Sequence, residues 1–293
     1  MLPSITVLTP TYGRTKALAE CVYSFLAQDY AGRAEMIVLN DRIDQRLTLG
    51  PNSEGWDVRP VTIINALQPY PDLGTKRNAL VERASTQLVA FWDDDDIYLP
   101  NALTRLVERY TARLAQKRRS GRESHCWQLQ KTGGPDGVGG KIAFGDDLEL
   151  ILRDSGPMWS MVVERSAVLD VSGFPAWDRK QDIDLARKLI QARWVGAESN
   201  TPGIPSCIHR LGGTPYTHAI DFTAWSSPAD NERSAAFHSA ATSALIDLGE
   251  EPRGDVRIVP EWRLDWSALT KAAWDAIPYR ANVPNLGFPP THF

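Results

Sequence analysis

The chain has 293 residues, 43% of them hydrophobic and 23% charged, with 32 basic and 36 acidic residues and a net charge of −4. That balance excludes a disordered, collagen-like or disulfide-stapled protein and gives no global positive field for nucleic acid. Three cysteines, Cys21, Cys126 and Cys207, form no CxxC pair, which argues against a cysteine zinc site and fits a reducing compartment. No leader-like basic and apolar run opens the chain and no stretch reaches 18 apolar residues, so the expectation is a cytoplasmic protein without a membrane span.

Strand and helix signals alternate through the first hundred residues. Ile5–Leu8 is a β-rich run, and residues 9–14, Thr-Pro-Thr-Tyr-Gly-Arg, read as a loop. Leu18, Cys21, Val22, Phe25 and Leu26 have helical spacing within residues 15–28. Met36–Leu39 is a second strand ending in Asn40-Asp41, and Val61–Ile64 is a third. A helix opens at Leu73-Gly74 and runs to about residue 85, and Leu88–Trp92 is a fourth strand ending in Asp93–Asp96. Such alternation predicts βαβ units and a mostly parallel sheet. Sheets of this kind bind ligands beyond the carboxyl ends of their strands, where three polar clusters here converge.

From Pro100 to Lys117 the pattern is an amphipathic helix with Leu103, Leu106, Val107, Tyr110 and Leu114 on its apolar face. Arg105, Arg109, Arg113 and Lys117 recur along another face. They form either a solvated surface or a stripe suited to a polyanionic acceptor such as DNA. Residues 133–140 are a glycine-rich loop between two strands and lack the Lys-Ser/Thr ending of a phosphate loop. Trp159–Glu164 is a strand candidate, and residues 182–192 form a helix with Ile183, Leu185, Ala186, Leu189 and Ile190 inward. Residues 220–293 mix helical stretches with proline-rich connections. The expected organisation is a Rossmann-like half (1–105), a second half of the same domain (106–215) and a C-terminal accessory extension (216–293).

Four consecutive aspartates at a strand end repel one another. A hard cation such as Mg²⁺ or Mn²⁺ relieves that repulsion by taking carboxylate oxygens together with substrate phosphates. Asp93 and Asp95 have D-x-D spacing, and Asp96 could instead cap the following helix. In this setting the sequence resembles glycosyltransferase family 2 over roughly residues 4–210. The matching segments are ITVLTPTYGR (5–14), MIVLNDRID (36–44), LGTKRNALVERA (73–84), LVAFWDDDDIYLPNAL (88–103) and GFPAWDRKQDIDLARKLI (173–190).

The resemblance implies an A-type glycosyltransferase fold, a Rossmann-like mostly parallel sheet flanked by helices. It implies metal-dependent, inverting transfer from a nucleotide-diphosphate sugar, UDP-linked by preference. Thr9, Pro10, Thr11 and Tyr12 then hold the base with Arg14 beside them, and Asp41 hydrogen-bonds it. Asn40-Asp41-Arg42 stands where the family often has Asp-Asp-Gly. Lys76 and Arg77 meet the donor, Asp93 contacts the ribose or sugar, Asp94 is a further donor-binding residue, and Asp95 binds the metal. Asp182, in Gln181-Asp182-Ile183-Asp184, is the expected general base, with Asp184 its alternative. His209 is a candidate metal ligand, Arg210 a diphosphate contact, and Trp159 an acceptor-side aromatic. A nucleotidyltransferase would need a glycine-rich N-terminal run that residues 9–16 lack. A non-catalytic nucleotide-sugar or glycan-binding module shares the fold but needs no base.

Overall fold

The computed structural model describes residues 1–52, 54–98, 100–114, 120–122, 125–130, 139–144, 161–177, 181–194, 207–211 and 252–261. The elements in chain order are β1 (Ile5–Thr11), α1 (Thr15–Leu26), β2 (Ala34–Asn40), β3 (Gln45–Leu49), β4 (Val61–Asn65), α2 (Leu73–Arg83), β5 (Leu88–Phe91), β6 (Ile97–Tyr98) and α3 (Ala102–Leu114). There follow β7 (Ser120–Arg122), β8 (His125–Gln130), β9 (Gly139–Phe144), β10 (Met161–Glu164), α4 (Arg165–Asp170), α5 (Gln181–Gln191), β11 (Cys207–Leu211) and β12 (Gly254–Ile258).

The main sheet has the order β4-β2-β1-β5-β10-β7. Strands β4, β2, β1 and β5 run parallel, and β10 adds antiparallel beside β5. The chain winds outward from β1 through β2 to β4, then returns to lay β5 on the other side of β1. That reversal makes the gap between the carboxyl ends of β1 and β5 the topological switch point, where open α/β sheets leave a ligand crevice. The sheet separates two apolar cores. One joins Ile5, Val7 and Val38 to α1 and α3 through Leu18, Val22, Leu103 and Tyr110. The other joins Leu8, Leu39 and Phe91 to α2, α4 and α5 through Leu80, Val168, Leu185 and Leu189. Alternate residues of β1 point into alternate cores, as the period of two requires. On α3, Leu103, Leu106, Val107 and Tyr110 are buried as expected, whereas Leu114 is exposed.

Several sequence expectations change. Thr9, Pro10 and Thr11 belong to β1, paired with Val38, Leu39 and Asn40, and are not a loop. Proline is tolerated here because the Leu8 carbonyl already faces β5, accepting from Trp92 N–H, and the β1–β5 pairing stops at Leu8 and Phe91. Pro10 therefore turns its missing N–H toward an edge with no partner strand. Asp96 does not cap α3: β6 intervenes, and Asp96 is fully buried in a turn closed by its own N–H on the Asp93 carbonyl.

Strands β3 and β12 escape the sequence reading. They pair in parallel, Gln45 with Gly254 through Leu49 with Ile258, and Ile258 enters the first core. Residues 252–261 are thereby joined to the N-terminal half. The glycine-rich run was expected as a loop, but Gly139 and Gly140 open β9; residues 131–138 lie outside the described residues. Lys117 and Trp159 also lie outside them.

Candidate functional site

Three parallel strand ends and the start of α2 meet at the switch point. β1 continues into Tyr12, Gly13 and Arg14, and Gly13 takes the left-handed conformation with φ +84°. A side chain there would also meet the Arg42 side chain at 2.6 Å, so glycine is needed twice over. Gln45 of β3 donates to the carbonyl of Gly13 at 3.5 Å and to that of Pro252 at 2.7 Å. The C-terminal strand thus buttresses the turn that carries Arg14.

α2 starts with a true side-chain cap: Asp72 Oδ1 accepts from the Thr75 N–H at 2.7 Å. Three successive residues then perform three separate tasks. Lys76, fully buried, donates through Nζ to Asp41 Oδ1 at 2.5 Å and to the Thr11 carbonyl at 2.6 Å. Arg77 reaches Asp93 at 2.6 Å and Gln181 at 2.8 Å. Asn78 clasps Phe174, donating to its carbonyl and accepting from its N–H, each at 2.8 Å. Gly74 lets the segment before α5 come close, since a Cβ there would collide with the Pro175 carbonyl.

The acidic cluster carries two arginines. Arg14 forms ion pairs with Asp94 and Asp95. Asp94, assigned from the resemblance to the donor contacts, is fully buried and also accepts from Thr11 Oγ1 at 2.6 Å. Burial pushes its carboxyl upward against the pull of Arg14. Burial alone would lower the Arg14 pKa, but Asp94, Asp95 and Asp93 outweigh it and hold the guanidinium above its ordinary value. Asp94 therefore seats Arg14 and ties it to the end of β1. Asp93 and Asp95 remain partly open, with side chains 32% and 22% exposed.

Asp41, assigned to the base, is 4% exposed, and both its oxygens are engaged, the second by the Tyr70 N–H at 3.1 Å. Burial lowers the Lys76 pKa while Asp41 opposes that fall. Thr9 is fully buried, and among the described residues its hydroxyl meets no hydrogen-bond partner. Asp182 and Asp184 both lie in the first turn of α5, and Asp184 pairs with Arg187 at 2.9 Å. His209 and Arg210 lie on β11, which pairs with β6 immediately after the aspartates, Ile208 opposite Ile97. Arg105 and Arg109 lie on α3.

Among the described residues no group of three or more His, Cys, Asp or Glu side chains is placed to hold a metal ion. The donor set nevertheless fits Mg²⁺ or Mn²⁺ in one manner. Such ions accept one or two carboxylates when substrate phosphates and waters complete the shell. Asp93 and Asp95 are the carboxylates of the cluster open enough to serve, and Arg77 or Arg14 must then yield the one that does. Sequence reasoning missed Gln45, a single neutral side chain without motif spacing that only the pairing of β3 brings to the site. It named Gln181 only as the neighbour of Asp182, and its hydrogen bond to Arg77 could not be read from the motif.

Residues 6–131 match Glycosyl transferase family 2, which bears out the resemblance read from the sequence, and the helix-flanked, mostly parallel sheet is the expected A-type fold. An N-acetylglucosaminyltransferase of Bradyrhizobium elkanii is 30% identical over 110 residues, 37% of this chain and 60% of that protein. A GalNAc(5)-diNAcBac-PP-undecaprenol beta-1,3-glucosyltransferase of Campylobacter jejuni is 31% identical over 109 residues, 37% of this chain and 35% of that protein. The chain thus spans less than two thirds of the length of either relative. The crystal structure of S. aureus TarS 1-349 in complex with UDP-GlcNAc superposes with a TM-score of 0.45 at 17% identity, covering 71% of this chain and 58% of that one. Among the described residues no helix is long and apolar enough to cross a membrane.

Proposed function

We propose that this protein transfers a sugar from a nucleotide-diphosphate sugar to an acceptor hydroxyl, with inversion at the anomeric carbon. The observation that carries this reading is the meeting of Arg14, Lys76, Arg77, Asp93 and Asp95 at one switch point, in the segment that matches the family. Two relatives named as sugar transferases support it.

In this reading the base lies against the turn after β1, near Asp41, with uracil favoured. The diphosphate lies toward Arg14, whose charge is already stabilised within the aspartate cluster. Asp93 takes a ribose or sugar hydroxyl. Asp95 would hold Mg²⁺ or Mn²⁺ with the diphosphate, and the ion would supply Lewis-acid stabilisation of the leaving group. Asp182, in the first turn of α5, removes the acceptor proton as the oxygen attacks opposite the diphosphate. Its carboxylate is favoured there by the positive end of the helix dipole. His209 and Arg210, on the strand beside β6, complete the diphosphate end.

The test is a thermal-shift panel of UDP, GDP, CDP, TDP and ADP with and without Mn²⁺. A ligand at about 100 times its dissociation constant adds roughly 2.7 kcal/mol to native stability. A shift that needs both one nucleotide and the metal is expected, and no shift with any nucleotide overturns the reading. Asp182→Asn should keep that shift and lower transfer by about 10²- to 10⁴-fold. Near wild-type turnover would move the base to Asp184.

A further inference from the structure

We propose that Arg77 is a positioning residue that carries occupancy of the donor end of β5 to the helix bearing Asp182. This rests on the donor site described above. Arg77 is 6% exposed and sits between two elements that belong to different halves of the reaction. One arm of its guanidinium donates to Asp93 Oδ1 at 2.6 Å, just past the end of β5. The other donates to Gln181 Oε1 at 2.8 Å, at the first residue of α5. Gln181 is 4% exposed and directly precedes Asp182. The two arms belong to one rigid plane, so a turn of the fork at Asp93 must move the hydrogen bond at Gln181.

Two further observations show that the fork is guided yet incompletely satisfied. The guanidinium carbon lies 5.6 Å from the centroid of the Phe174 ring, and that ring meets Phe91, the last residue of β5, edge to face at 5.0 Å. Phe174 itself is clasped by Asn78, the next residue of α2. Among the described residues the buried Arg77 Nε–H meets no hydrogen-bond partner. A ligand hydroxyl or cation arriving beside Asp93 competes for its carboxylate, which is one-third exposed. That competition re-aims a fork whose Nε–H is not already fixed by a hydrogen bond. The rate of proton removal at Asp182 then depends on whether the donor is in place, so the base is aligned after donor binding and not before.

The test is hydrogen exchange of residues 181–191 in the full chain, with UDP and Mn²⁺ as the probe. In the wild type, UDP with Mn²⁺ is expected to slow exchange in α5 by about tenfold. Gln181→Met should bind UDP within about twofold of the wild-type affinity but lose this protection, and Gln181→Glu, which still accepts from Arg77, should restore it. In a transfer assay Gln181→Met should lower kcat while leaving the donor KM in place. UDP binding without a change in α5, or full protection in Gln181→Met, overturns the coupling and leaves the donor site standing. Absence of any UDP binding overturns the donor site, and the coupling falls with it.

Discussion

Lys76 and Arg77 are neighbours on one helix, each facing an aspartate at the end of a parallel strand, yet their surroundings differ sharply. Lys76 and Asp41 have side chains 0% and 4% exposed, and among the described residues they engage the Thr11 carbonyl and the Tyr70 N–H from within the fold. Arg77 is nearly as buried, but its partner Asp93 is 32% exposed. The first pair stitches α2 to β1 and β2 and is closed. The second stitches α2 to β5 and α5 and opens on one side to whatever enters the crevice. Helical geometry accounts for the split, since a step of about 100° along α2 turns successive side chains toward different strand ends. A fixed pair beside an open one holds the scaffold still while one contact responds.

Breaking the closed pair should have the largest effect on stability. Lys76→Met leaves Asp41 buried without its countercharge and should cost about 3–5 kcal/mol. The Lys76→Met, Asp41→Asn double variant removes both charges and should recover much of that loss in chemical denaturation. Burial holds the folded Lys76 pKa below its ordinary 10.5. As pH climbs through that lowered value, the native state releases a proton that the unfolded chain keeps until about 10.5. The unfolded state binds more protons across that window, so this contribution to stability rises with pH. The wild type should gain on the double variant between the two values, and a flat difference would show that the pair is not sealed.

Much of this arrangement is legible in the sequence because it follows from local chemistry. Apolar runs ending in Asn40-Asp41 and Asp93–Asp96 predict strand ends with ligands, and the two fall on the strands that flank β1 in the sheet. The buried faces of α3 and α5 follow from their helical period. Pro10 misled the reading because a proline signals a break unless its N–H lies beyond the last paired residue, and that depends on sheet order. β12 was invisible for a related reason. Its partner β3 lies some two hundred residues away, and no periodicity links Gly254–Ile258 to Gln45–Leu49. Arg14 was placed beside the base, but its capture by Asp94 and Asp95 needed the return of β5 next to β1.

The join between α2 and the segment before α5 is the next place to test. Asn78→Ala removes both hydrogen bonds to Phe174 and leaves buried backbone groups unpaired, for an expected cost of about 1–3 kcal/mol. Gly74→Ala forces a Cβ against the Pro175 carbonyl and should cost a similar 1–3 kcal/mol. Because Phe174 also supports the Arg77 fork, each variant should slow transfer beyond what its stability loss explains. Equal residual activity at matched folded fraction would detach this clasp from catalysis.

Asp93→Asn should have the smallest effect on folding and thereby sharpen the contrast most. Asparagine keeps an oxygen for Arg77 at the same place, and water already reaches a third of the side chain. The ion pair is partly screened, so a loss of no more than about 1 kcal/mol is expected. Function should respond in the opposite proportion, with weaker nucleotide-sugar binding by calorimetry, because the open carboxylate oxygen is the one a donor hydroxyl would use. Stability and binding would then rank Asp41 and Asp93 in reverse order. Two aspartates that ranked the same way in both measurements would mean that their difference in exposure has no functional consequence.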